Sequence, residues 1–246
     1  MSIVGKTKVA GKGSLSQQAY NILRTNILRG DLPLGTPLSR RKLAAEMRMS
    51  LLPVGEALQK LELEGIVESR PRVGTRVRIP TEDDVMGHYI LREALETMSA
   101  RLFAERATEA DRKEMLDLAI ALDSHYESAV QCRNGEVAEL VFTAHRAHAQ
   151  FHTRLGECGG CPALVDAIDR NQTMVLTWLF NSASQFYRLP PHWHLTLMES
   201  LNQGKVALAD RAMRKHIRFG FDHVSQRIQA LNTLLLDSEK GFRVKV

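Results

Sequence analysis

Four histidines, His148, His152, His194 and His216, are the side chains of this chain best suited to chemistry. His148 and His152 stand at i and i+4, so on a helix both imidazoles leave one face a turn apart and can share a ligand. His145 comes one turn earlier on nearly the same side, as a substitute or an outer neighbour. His194 follows the Pro190-Pro191 pair and opens a further helical stretch, while His216 lies on another after Gly204. Three helices can therefore converge on one pocket. Imidazole suits zinc, nickel, iron or copper, and metal–nitrogen bonds of about 2.0–2.1 Å require the ring nitrogens to meet in a small cavity. The same rings could activate water in a metalloenzyme, but no His-Glu-x-x-His pattern occurs in the chain.

The elements that must position these rings belong to a chain of 246 residues, long enough for two domains with separate cores. Its charge is uneven: residues 1–80 hold 14 basic and 6 acidic side chains, the remainder 19 and 22. A basic excess confined to one segment is the footprint of a phosphate-binding surface. No run of about 18 apolar residues is present to span a bilayer, and the N-terminus lacks the apolar core of a signal peptide. A cytoplasmic protein with no membrane partner is expected. Cys132, Cys158 and Cys161 do not form a disulfide framework, and Cys158-x-x-Cys161 reads as a helix-connecting turn.

Residues 1–13, rich in Gly and Lys and without apolar period, read as a flexible arm. Ser14 or Ser16 then caps a helix with Ala19, Ile22, Leu23, Ile27 and Leu28 on one face, ended by Gly30. Residues 31–37, DLPLGTP, read as a turn. Ser39 opens a short second helix and Ser50 a third, with Val54, Leu58, Leu61 and Leu63 inward. Two short helices joined tightly make a helix-turn-helix, and Ile66–Ser69 with Thr75–Ile79 form a two-stranded wing. Thr81 and Asp84 start a long helix running to about Arg106. Beyond it only helical patterns follow, broken at Thr108, Asn134-Gly135, Gly156–Pro162, Pro190-Pro191 and Gly204. The expected fold is mainly α: a winged helix-turn-helix over residues 14–80, then an all-α helical bundle over 81–246.

A winged helix-turn-helix lays its second motif helix in the major groove while basic side chains and the wing hold phosphates. That helix begins here at Ser50, with Leu51 and Leu52 at its start. Arg40, Arg41 and Lys42 precede it, Arg48 lies in the turn, and Arg70, Arg72, Thr75, Arg76 and Arg78 are on the wing. A double-stranded DNA operator is the expected partner, and a homodimer is expected because twofold operators mirror twofold proteins.

The run from Ile27-Leu28-Arg29-Gly30 through Leu34-Gly35, Leu43-Ala44, Ser50, Pro53-Val54, Glu56-Ala57-Leu58, Leu61-Glu62 and Gly65-Ile66-Val67 to Gly74-Thr75 resembles the DNA-binding domain of the GntR family. The resemblance implies base-reading arginines directly after Ser50 and directly before Glu56, where this chain has Leu51 and Gly55. An Arg bidentate to guanine is worth about 1–3 kcal/mol of discrimination. Leu51 and Leu52 can instead touch thymine methyls, or the positions tolerate change and binding is relaxed. Arg41 matches a family position used for DNA contact, and the wing keeps Arg72 and Arg76.

Asp83-Asp84-Val85, Tyr89, Leu91-Arg92, Leu95-Glu96, Ala100-Arg101-Leu102 and Arg106-Ala107-Thr108 resemble the opening of the FCD effector domain of the FadR subfamily, and Phe151-His152, His194, Leu197, Gly204, Ala209, Ala212-Met213 and His216 its later signature. That resemblance implies a divalent metal held by one Asp and three His, with a small organic acid beside it. His152, His194 and His216 match the three histidines, and His148 stands in the place of the Asp. An all-imidazole set is neutral and softer, and favours zinc, nickel or copper over magnesium or manganese, with zinc or nickel the expected ion. The alternative is that the metal is lost and the histidines bind an anionic effector directly. Arg92 is a candidate clamp for an effector carboxylate or the ion-pair partner of Glu96 at i+4, and His145 a candidate effector neighbour. Together these imply a repressor relieved by a small carboxylate rather than an enzyme. A metal-dependent enzyme and a DNA-binding protein with a vestigial pocket are the competing classes.

Overall fold

The computed structural model describes residues 13–71, 74–132, 137–181 and 188–242. Residues 1–12 of the expected arm, Arg72 and the expected break at Asn134-Gly135 lie outside the described residues. The chain divides into two compact units with a boundary between Pro80 and Thr81; the end of a later helix, Thr177–Asn181, groups with the first.

In the first unit, Ser14 Oγ accepts from the Gln17 N–H at 3.2 Å and caps helix α1, Leu15–Leu28, which buries Ala19, Leu23 and Ile27. Ser39 likewise accepts from Lys42 N–H and starts α2, Arg40–Met47. Ser50 takes the N-cap backbone conformation of α3, Leu51–Leu63, without a side-chain cap bond. Helix α3 packs on α1 and α2 through Val54, Ala57, Leu58 and Leu61. Leu63, expected inward, is 86% exposed. It lies two residues past Leu61, and about 200° of helical rotation turns it to solvent.

Three strands complete this unit: β1 (Pro37–Leu38), β2 (Val67–Arg70) and β3 (Gly74–Val77), antiparallel in the order β1-β3-β2. Val67 stands opposite Val77 and Arg70 opposite Gly74, which gives the wing its register. Strand β1 lies at the end of the stretch expected to be a turn, and pairs Pro37 with Arg76 and Leu38 with Thr75. Two residues carry no alternation to read. Gly35, at φ +82°, makes the bend into β1, and its N–H donates to the Val77 carbonyl at 2.9 Å.

The second unit is all-α among its described residues: α4 (Glu82–Arg106), α5 (Glu109–Gln131), α6 (Val137–Cys158), α7 (Pro162–Asn181), α8 (Trp193–Leu201) and α9 (Val206–Phe242). Reciprocal capping boxes, Thr81 with Asp84 and Thr108 with Asp111, fix the starts of α4 and α5. Helix α4 packs along α6 and α9, α5 against α6 and α8, and α8 against α9. Phe103, Met115, Ala119, Leu155, Leu201 and Met213 fill the seams. Gly156 lies inside α6, so the expected break narrows to Gly159–Cys161. A Cβ on Gly156 would come 3.3 Å from Val165 and Ile168, so its missing side chain lets α7 approach.

Leu61 is fully buried, and Leu61→Ala is expected to cost about 2–5 kcal/mol of stability through lost transfer energy and a cavity. Leu63→Ala is expected to stay within about 0.5 kcal/mol, as an exposed change does. Denaturant unfolding of the two variants checks the pair; equal losses would contradict the assigned face.

Candidate functional site

Three helices of the second unit bring the four histidines together. His148 Nε2 lies 3.2 Å from His152 Nε2 and 3.4 Å from His216 Nε2. Ligand atoms of His148, His194 and His216 all fall within 4.8 Å of one another. His152, His194 and His216 are buried and His148 is half-buried. Two aromatic neighbours pack on the rings: Trp193 stacks on His216 with centroids 5.6 Å apart, and Phe151 stands edge-on to His152 and His194.

Two buried carboxylates set the orientation of two rings. Glu96, on α4, places Oε2 2.7 Å from His152 Nδ1, while its Oε1 accepts from Arg92 Nε at 2.7 Å and Gln172 Nε2 at 2.9 Å. Asp123, on α5, has Oδ1 2.6 Å from His194 Nδ1. Asp123 also accepts the backbone N–H groups of His194 and Leu195 at 3.1 Å each, so a residue of another helix caps the start of α8. Just ahead of it, His192 adopts a left-handed backbone (φ 53°), a strained conformation for a non-glycine residue, as the chain turns from Pro190-Pro191 into α8. With Nδ1 of His194 hydrogen-bonded to Asp123 and Nδ1 of His152 2.7 Å from Glu96 Oε2, Nε2 of each is the ring nitrogen left to the cluster. His194 Nε2 is buried and makes no hydrogen bond.

Burial is the main cause that lowers the pKa of all four rings. The shift is largest at His148 and His216, where the neighbouring histidines and Arg92 add to burial. Glu96 and Asp123 oppose the shift at His152 and His194 without reversing it. Burial by itself would raise the pKa of Glu96, but the Arg92 guanidinium, with the His152 ring at its other oxygen, outweighs it and holds the carboxyl at about 2.

Arg92 and Glu96 are therefore paired, and the pair is buried, at 3% and 1% exposure, rather than on a helix surface. The guanidinium also reaches the cluster, with Nη2 3.4 Å from His152 Nε2. His145 is fully buried, edge-on to Tyr126 at 5.9 Å, and Tyr126 in turn contacts the His148 and His194 rings. A cavity of about 440 Å³ shares Asp123 and Tyr126 and is further lined by Arg188, Pro190, Pro191 and His192. Asp123, Tyr126 and the orienting role of Glu96 escaped the sequence reading. Asp123 is one acid among several on α5, and no spacing ties it to a histidine 71 residues away. His223 packs against Phe219, and burial raises the Cys158 thiol to about 11, which suits a packed turn.

On the first unit, Arg40, Arg41, Lys42, Arg48 and Ser50 are exposed around the start of α3. Leu51 and Leu52 project from it at 49% and 71% exposure. Arg48 takes a left-handed backbone (φ 54°) in the connection between α2 and α3. On the wing, Thr75 Oγ1 lies 3.0 Å from Ser69 Oγ, and Arg76 donates through Nε to Glu68 at 2.6 Å.

Residues 15–77 match the family described as "Bacterial regulatory proteins, gntR family", and residues 88–219 match the FCD domain. The chain belongs to the GntR family. A GntR-type reading head with an FCD domain is a DNA-binding transcriptional regulator. The chain is 28% identical over 217 residues to the "Probable D-xylose utilization operon transcriptional repressor" of Paenarthrobacter nicotinovorans, covering 83% of this chain and 86% of that protein. It is 26% identical over 208 residues to the HTH-type transcriptional repressor RspR of Escherichia coli, with the same coverage. The solved structure of E. coli McbR/YncC, at 20% identity, shares the fold with a TM-score of 0.69 over 88% of this chain and 99% of that one. Among the described residues no helix is long and apolar enough to cross a membrane.

The pKa shifts set the response to acid. The folded protein keeps the rings neutral, whereas the unfolded chain takes up protons below its ordinary histidine pKa near 6.5. The unfolded state then binds more protons, so stability falls as pH drops from about 6.5. Glu96 adds to the loss below its ordinary 4.5, because its folded pKa is about 2. The melting temperature in chelator is expected to decline steadily from pH 7 to 4; a flat profile down to pH 5 would contradict a buried neutral cluster.

Proposed function

We propose that this GntR-family chain is a homodimeric, cytoplasmic repressor whose reading heads grip a twofold operator and whose helical unit senses a small carboxylate beside a divalent transition metal, zinc or nickel. One observation carries the metal reading. Four donors at metal–nitrogen bonds of about 2.0–2.1 Å in tetrahedral array stand about 3.4 Å apart, and the His148 Nε2 separations are 3.2 and 3.4 Å. The unpartnered His194 Nε2 and the carboxylates behind His152 and His194 suit the same donor set. A metal held there supplies a Lewis-acidic position for an effector carboxylate. Arg92 offers that carboxylate a cation at the edge of the cluster, and His145 shapes the cavity from behind Tyr126.

Self-association is supported by a groove of about 610 Å³ in which Met86, Ile90 and Ala94 of α4 face Ile217 and Phe221 of α9. Met86 and Ile90 are 46% and 64% exposed, an apolar surface of the kind that marks a protein contact. The effector acts by binding the DNA-free form more tightly than the DNA-bound form, the sole way it can bias that equilibrium. A second reading rests on Arg92 beside His152: a cation at that position suits an anion held directly by the rings, with no metal.

Elemental analysis of the purified full-length protein decides between them. About one equivalent of zinc or nickel per chain is expected, falling to background in His194→Ala. A metal-free wild type that still binds carboxylates would replace the first reading with the second. For DNA, binding to the sequence flanking its own gene is expected to weaken steeply between 50 and 200 mM salt as counterions are released. Salt-insensitive or absent binding there would overturn the operator assignment.

A further inference from the structure

Helix α2 lends an arginine to the exposed face of α3. Helix α3 presents Leu51 and Leu52 at its exposed start, and neither can hydrogen-bond a base edge. The same face continues to Gly55, since 51 and 55 are i and i+4 and 52 and 55 are i and i+3. Arg40, the first residue of α2, lays its guanidinium over Gly55: a Cβ built there would meet Cζ at 3.2 Å, Nε at 3.3 Å and Nη1 at 3.4 Å. A groove of about 570 Å³ runs between this face and the wing, lined by Arg40, Leu51, Leu52, Gly55, Ser69 and Thr75 among others. Gly55 carries a helix-propensity cost of about 1 kcal/mol relative to Ala, and its bare backbone is the seat on which the guanidinium lies.

We infer that Arg40, seated on Gly55 of the recognition helix, reads guanine in the major groove in place of an arginine on that helix itself. The start of α3 is the part of a helix-turn-helix that reaches base edges. A guanidinium lying along it beside Leu51 is carried to guanine O6 and N7 with its planar fork exposed. Leu51 and Leu52 then contact thymine methyls next to that guanine. Arg41 and Lys42, exposed one and two positions on, are left to the phosphates. The inference rests on the chain being a DNA reader, and its test separates the two.

The experiment selects binding sites from random duplex DNA with the full-length protein, then measures affinity for the enriched site and for unselected DNA. The wild type is expected to enrich a half-site with a fixed guanine. Arg40→Ala and Arg40→Lys should weaken binding to it about 5- to 150-fold, with a much smaller effect on unselected DNA. Substituting 7-deazaguanine at the fixed position should weaken the wild type and leave Arg40→Ala unmoved. Gly55→Ala, which nudges the guanidinium by a few tenths of an ångström, should weaken the same base preference less and have no such effect in the Arg40→Ala background. Arg41→Ala should weaken all DNA alike. Enrichment of a site that Arg40→Ala still prefers, or an Arg40→Ala loss equal on every sequence, overturns the inference while the protein remains a DNA reader. No enrichment by the wild type removes the sequence-reading role itself.

Discussion

An ionised carboxylate taken out of water costs several kcal/mol unless opposite charge and hydrogen bonds replace its hydration, and the second unit meets that demand twice. Glu96 is almost wholly buried, yet Arg92, Gln172 and His152 surround both of its oxygens. Asp123 spends its oxygens on the His194 ring and on two backbone N–H groups. Each carboxylate holds a ring by Nδ1, so the direction of both Nε2 lone pairs is decided outside the cluster. Four clustered imidazoles with no such backing would have many tautomers to choose from. With it, two are fixed and the others adjust to them.

The first unit divides its basic side chains by a similar logic. Arg76 and Arg70 share Glu68 on the wing, so their charge is partly answered within the sheet and their positions are held. Arg40, Arg41, Lys42 and Arg48 surround the start of α3 and are exposed. Charge that is free to meet a polyanion therefore gathers where the helix is bluntest, beside two leucines. The wing supplies shape and a few donors, and the α2–α3 corner supplies the field.

Helical periodicity and capping made most of this architecture legible. The capping boxes at Thr81 and Thr108 mark real starts, and the i, i+4 pair His148 and His152 does share a face. The winged head could be read because its turns are written in Gly, Ser and Pro. Strand β1 could not, because it exists only through its pairing with β3. Leu63 misled because its apolar type was counted although it lies two residues past Leu61, about 200° round the helix and off the buried face. The candidate site was half visible. Ring types and spacing name the histidines, but the carboxylates that aim them come from α4 and α5, and only tertiary packing brings Asp123 to His194. The Arg92–Glu96 spacing was plain while its burial was not, since i, i+4 geometry is identical on a wet face and a dry one.

The bond from Asp123 to both the His194 ring and the first backbone amides of α8 makes one anchor serve a side chain and a rod. The oxygen that holds the ring, Asp123 Oδ1, also accepts the His194 backbone amide, so the aim of the imidazole and the start of α8 share one acceptor. Helix α8 also packs on α5 and α9, so the element that presents His194 is held along its length as well as at its start.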